Sequence, residues 1–231
     1  VHRISVRYRQ TLLGLAWAVL PPLLMVAIFA LIFSRLAGIP SEGVPYPLFA
    51  FVALLPWTFF STSVTSGTGS LVSHTQLITK VYFPREILPL TYVIAALFDF
   101  TIGLGVLALL MAWFDAPVTA AVLWVPGLVL LLALWALAMS LVLSAAQVRW
   151  RDVGVAMPVL VQLWMFVSPV IYPLGVVPQA WRPIYLLNPM AGIINAFRDV
   201  LLRGHAPDPV PLAYAAAVTA CALPAADLGF T

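Results

Sequence analysis

The chain has 231 residues, of which 63% are hydrophobic and only 8% charged, and its mean hydropathy is +1.06. A water-soluble domain carries about a quarter charged residues, so a soluble globular fold is excluded and lipid is the main solvent. The net charge of +3 does not point to nucleic acid, because the basic residues sit in short clusters between apolar segments and line no single face.

A hydrocarbon core about 30 Å thick needs about 20 apolar residues of helix, since a helix satisfies its own backbone in lipid. That rule predicts six crossings in chain order, at 12–33, 48–72, 87–114, 118–146, 153–172 and 209–231. The expected fold is all-α, a polytopic membrane helical bundle forming a single transmembrane domain over 1–231. Pro21 and Pro22 should kink the first span, Pro45 and Pro47 lead into the second, and Asp115, Ala116 and Pro117 make the turn between the third and fourth. Pro224, Asp227 and the stop at Thr231 are expected to leave the sixth short of a full crossing. With Val1 at the start and no secretory leader pattern, both termini are expected to be incomplete. A single Cys221 allows no intrachain disulfide and no cysteine metal site, and reads as a small apolar helix residue.

Orientation follows from Lys and Arg in the loops. One side holds Arg3, Arg7, Arg9, Lys80, Arg85, Arg149 and Arg151, and the other Arg35, Arg182, Arg198 and Arg203. Seven against four places the first side, and both termini, in the cytoplasm.

Three segments carry more than topology. The cytoplasmic loop 73–86 is too apolar for a linker: Leu77, Ile78, Val81, Tyr82 and Phe83, rimmed by Lys80 and Arg85, suit a docking surface or, equally, a helix lying in the headgroups. Asp99 lies thirteen residues after Glu86, or about 20 Å into the bilayer at ~1.5 Å per residue. At that depth an ionisable group either serves function or bonds between helices, with Thr101 as one candidate partner. In the external loop, Asn188 is a good N-cap, Pro189 suits the first helical position and Gly204 the stop. Met190, Ile193, Ile194, Phe197 and Leu201 follow helical spacing with Asn195, Arg198 and Asp199 opposite, which predicts an amphipathic helix at or dipping into the outer interface.

Arg7-Tyr8-Arg9-Gln10-Thr11-Leu12-Leu13-Gly14 followed by Trp17, then Leu54-Leu55-Pro56-Trp57 with Phe59 and Phe60, then Leu77-Ile78-Thr79-Lys80-Val81-Tyr82-Phe83-Pro84-Arg85, then Leu187-Asn188-Pro189-Met190, run through most of the chain in one order. Together they resemble the permease subunit of ABC-2 type polysaccharide exporters, the family of O-antigen, capsule and teichoic-acid export. The resemblance implies a homodimeric pore for a lipid-linked polysaccharide in the bacterial inner membrane. A separate cytoplasmic ATPase would bind ATP, so no cofactor belongs to this chain. The loop from Leu77 to Glu86 would be the coupling helix, with Leu77, Ile78, Val81, Tyr82 and Phe83 in an ATPase groove, Lys80 and Arg85 at its rim, and Pro84 turning the chain into the third span. Arg3, Arg7, Tyr8 and Arg9 would end an amphipathic interfacial helix, though plain positive-inside anchoring explains each arginine as well. Trp57, Phe59 and Phe60, with Asp99, would line the sugar path, while Trp57 equally suits an interfacial anchor. The helix at Asn188, Pro189, Phe197, Arg198 and Asp199 would gate the outer mouth.

His2, His74 and His205 are far apart, and the sequence holds no P-loop, no nucleophile elbow and no histidine pair at metal spacing. A transporter subunit is therefore expected, not an enzyme. The rivals are a membrane-embedded enzyme acting on lipid-linked sugars, a passive channel or scaffold, and an ABC-2 exporter of a lipid or drug. The enzyme would need convergent acids, whereas Asp99, Asp115, Asp152 and Asp199 fall at different depths.

Overall fold

A computed structural model describes residues 43–80 and 84–228, with the isolated positions 20, 24, 27, 28 and 31. The span expected at 12–33 falls almost wholly outside these residues, as do Arg3, Arg7, Tyr8, Arg9, Val81, Tyr82 and Phe83. Every regular element among the described residues is helical. Four segments among them are long and apolar enough to cross a membrane: Tyr46–Thr68, Ile87–Trp113, Ala120–Arg149 and Pro209–Ala226.

Helix α1 (Tyr46–Thr68) is the axis of the bundle. Pro45 precedes it and a proline occupies its first turn, where a missing N–H costs nothing. It runs on through Pro56 and stops at Gly69, short of the expected 72, after which two short helices follow, α2 (Ser70–Ser73) and α3 (Thr75–Lys80). Helix α4 (Ile87–Trp113) matches the expected third span within a residue. The turn after it bends at Asp115, whose φ is 51°. Thr119 then caps a short 3-10 helix, Ala120–Trp124, by accepting from Ala121 N, and α5 (Val125–Arg149) continues from it.

Helix α6 (Asp152–Val167) ends five residues before the predicted 172. The cause is Pro169: the residue before a proline is pushed out of the helical region, and Ser168 sits at φ −99°, ψ 149°. Beyond it come α7 (Arg182–Leu186) and α8 (Pro189–Leu201). Helix α9 (Pro209–Leu228) passes through Pro224 without ending there. At about 1.5 Å per residue its twenty residues extend roughly 30 Å.

Helix α1 packs on α4, α5, α6 and α8. Small residues set its closest approach. Gly67 lies against Ser140 of α5, where a Cβ would stand 2.6 Å from the serine Oγ, and the Ser140 hydroxyl donates to the carbonyls of Ala136 (2.7 Å) and Ser63 (3.2 Å). Such small-residue contacts are how helices approach in lipid, where apolar burial gives no preference for protein over acyl chains.

Candidate functional site

Between α1 and α6 lies an open groove of about 740 Å³. From α1 it is lined by Trp57, Thr58, Ser61, Thr62, Thr65 and Ser66. These hydroxyls recur at steps of three, one, three and one, so a single face of the helix carries them all. Pro158, Gln162, Met165 and Phe166 of α6 form the opposite wall. Among the described lining residues none carries an ionisable side chain. Each hydroxyl can donate and accept, and Gln162 can do both through its amide. The groove therefore offers adaptable, uncharged hydrogen bonding inside an apolar bundle.

Two of the aromatics singled out in the sequence do not reach it. Phe60 is fully enclosed, stacked on Trp135 (6.4 Å, interplanar angle 1°) and edge-on to Trp164 (5.3 Å). Phe59 packs edge-on against Phe100 of α4 at 5.4 Å, and Phe100 in turn meets Phe197 of α8. Within this chain both are core residues. Trp57 does line the groove, and its ring tilts on Phe60 at 5.7 Å. Asp99 is half-buried on α4 and is not among the lining residues, and the Thr101 hydroxyl donates to the Leu97 carbonyl (2.8 Å).

The second structured locus is α8. It was expected on or dipping into an interface with Asn195, Arg198 and Asp199 on a polar face, but all thirteen of its residues are buried. It stays buried because its polar groups find protein partners in place of water. Residues 169–172, left without helical bonds beyond Val167, present four successive carbonyls. Arg198 donates to Pro169 O (2.7 Å), Val170 O (2.8 Å) and Tyr172 O (3.1 Å), and Tyr46 donates its hydroxyl to Ile171 O (3.1 Å). The same guanidinium lies over the Phe49 ring at 3.8 Å, a cation–π contact. Asp199 turns the other way: it accepts from Asn195 and from the backbone N–H of Asp208 and pairs with Arg203. Asp208 caps α9 by accepting from Val210 N (3.1 Å), while His205 Nδ1 bonds the Ala206 carbonyl.

Asn188 caps α8 as expected, accepting from Met190 N (3.1 Å), and its amide donates to Ser168 Oγ (2.9 Å) at the end of α6. Gly192 is required where α8 crosses α9, since a Cβ there would run into the Pro211 carbonyl. Gly204, at φ +71°, brings its carbonyl to the Thr119 hydroxyl (2.7 Å). The Tyr172 and Tyr185 hydroxyls meet at 2.5 Å. Burial, with that hydrogen bond, pushes the Tyr185 phenol above its ordinary value, so it stays neutral.

At the opposite end, Lys80 closes α3, and Lys80, Pro84, Arg85 and Glu86 are exposed. Pro84, Arg85 and Glu86 accept the first N–H bonds of α4, from Ile87, Leu88 and Leu90. The side chains of Leu77 and Ile78 lie outside the described residues.

The hydroxyl face was not singled out in the sequence, although its spacing is legible there. Threonine and serine scarcely change hydropathy, so neither charge nor aromatic patterning marks this face.

The family model for the ABC-2 type transporter matches residues 2–202. Over 230 residues the chain is 35% identical to the O-antigen export system permease protein RfbA of Myxococcus xanthus, covering 98% of this chain and 87% of the relative. A Klebsiella pneumoniae protein of the same name is 27% identical over 87% of this chain and 77% of its own length. The polysialic acid transport protein KpsM of Escherichia coli is 24% identical over 95% of this chain and 85% of that protein.

Proposed function

This chain belongs to the ABC-2 type transporter family, and on that premise we propose that it is the membrane-spanning permease subunit of a polysaccharide exporter. The observation that carries this reading is the groove lined by Thr58, Ser61, Thr62, Thr65 and Ser66. A sugar chain leaving water needs partners for its hydroxyl groups, and lipid supplies none. Hydroxyls at successive turns of α1 hand those groups from one partner to the next. The indole of Trp57 adds a ring against which the C–H faces of sugars can slide. The export functions named for the relatives point to the same substrate class.

In the working exporter two copies of the chain enclose the polymer, which is carried on a lipid through the bacterial inner membrane with the N-terminus of each copy in the cytoplasm. A separate ATPase binds ATP and docks at residues 73–86, with Leu77, Ile78, Val81, Tyr82 and Phe83 as its apolar contact and Lys80, Arg85 and Glu86 at the margin. The exposure of Lys80, Arg85 and Glu86 supports that assignment. Because Pro84, Arg85 and Glu86 also hold the first turn of α4, a movement of the docked segment is delivered directly to a span. Helix α8, packed on α1 and α9, is the gate of the outer mouth.

The test is a strain that lacks this chain, complemented with the native protein and with a Val81→Asp, Phe83→Asp double variant. The native protein should restore surface polysaccharide. The variant should reach the membrane in equal amount, lose the copurifying ATPase and fall at least tenfold in surface polymer. Retained ATPase association would sink the docking assignment, and surface polymer unchanged by loss of the native chain would sink the export reading.

A further inference from the structure

We infer that the polymer passing through the groove is uncharged along its sugar backbone, an inference that rests on the export reading above. Thr58, Ser61, Thr62, Thr65, Ser66 and Gln162 all supply neutral hydrogen-bonding groups. A hydroxyl donates and accepts with equal ease, so it can meet a sugar hydroxyl in any orientation and at any register. Exchange of water for such a partner is close to balanced, since a net hydrogen bond is worth about 0.5–1.5 kcal/mol.

A polymer with a carboxylate on each unit presents a different problem. An ionised carboxylate taken from water costs several kcal/mol unless a cation or several donors receive it, and the described lining supplies no cation. The cost recurs at every unit that enters. Among the described residues, the Arg198 guanidinium binds three carbonyls and lies over Phe49, and Arg203 pairs with Asp199. Neutral hexoses and deoxyhexoses suit such a lining, whereas chains of uronic or sialic acid do not.

The experiment captures the polymer in transit. A photo-crosslinking residue is introduced at Thr58 or, separately, at Thr62 of the full exporter, in cells that make its own polymer. The same residue at Leu109, exposed on α4, is the control. Each protein is brought to equal membrane abundance and irradiated during export, and the sugars bound to it are hydrolysed and quantified. Both groove positions should carry at least tenfold more carbohydrate than Leu109, with neutral sugars exceeding acidic ones at least tenfold. Acidic sugars in equal or greater amount would overturn the inference and leave the export reading standing. Carbohydrate no higher than at Leu109 from both groove positions would overturn the path itself.

Discussion

Helices α1 and α4 are both long and apolar, and they invert each other. In α1, 78% of the most apolar stretch is buried, and the exposed positions include Thr58 and Thr62. In α4 only 28% is buried, and the exposed side chains include Leu90, Ile94, Phe98 and Leu109. Lipid suits an exposed apolar face. An exposed hydroxyl face on an otherwise buried helix suits water or a polar ligand, so the less hydropathic helix is the one placed for function and the more hydropathic one faces the solvent.

The largest effect that would break this contrast concerns aromatic packing. Phe60→Ala, at full burial among Trp57, Trp135 and Trp164, should lower stability by about 3–5 kcal/mol. Phe98→Ala on the exposed face of α4 should change it by less than about 0.5 kcal/mol. Unfolding in mixed micelles with rising detergent denaturant measures both, and equal losses would erase the distinction. Next comes the glycine pair. Gly67→Val drives a side chain into Ser140 and should cost about 1–3 kcal/mol. Gly105→Val on α4 meets open space and should remain within about 0.5 kcal/mol of the native protein.

The groove itself should separate function from stability. Thr62→Val with Thr65→Val keeps side-chain shape and removes two lining hydroxyls, so stability should hold within about 0.5 kcal/mol while surface polymer falls at least threefold. A parallel fall in folded protein would make these threonines structural. The smallest effect lies with pH. Burial and the bond to Tyr172 raise the Tyr185 phenol, so the neutral form that this contact needs persists below its shifted value. Between about pH 6 and 9, well below the ordinary tyrosine value of about 10, no phenolate absorbance from Tyr185 should appear. Its appearance there would show that the pair opens to water.

Periodicity and composition made the spans legible, because hydropathy reports the solvent: α4 falls within a residue of its expected end. Local rules made the start of α8 legible, since Asn188 and Pro189 act within one turn. The premature end of α6 was also within reach of a local rule at Ser168 and Pro169. The surroundings of α8 were not. Arg198 reads as surface charge until the carbonyls of 169–172, more than twenty residues earlier, are known to need donors. The lining face of α1 was missed for a different reason: its hydroxyls are nearly silent on a hydropathy scale, and only the burial of the rest of the helix makes their exposure informative.

Arg198 and Asp199 are adjacent, and they anchor α8 in opposite directions. One fastens it to the break after α6, the other to Asp208, just before α9. The helix is thereby pinned like a strut at two bearings, with Gly192 letting it lie flush against α9. A displacement at the end of α6 has little slack in which to dissipate. Helices α6 and α9, with 41 residues of chain between them, are thereby tied to each other through α8.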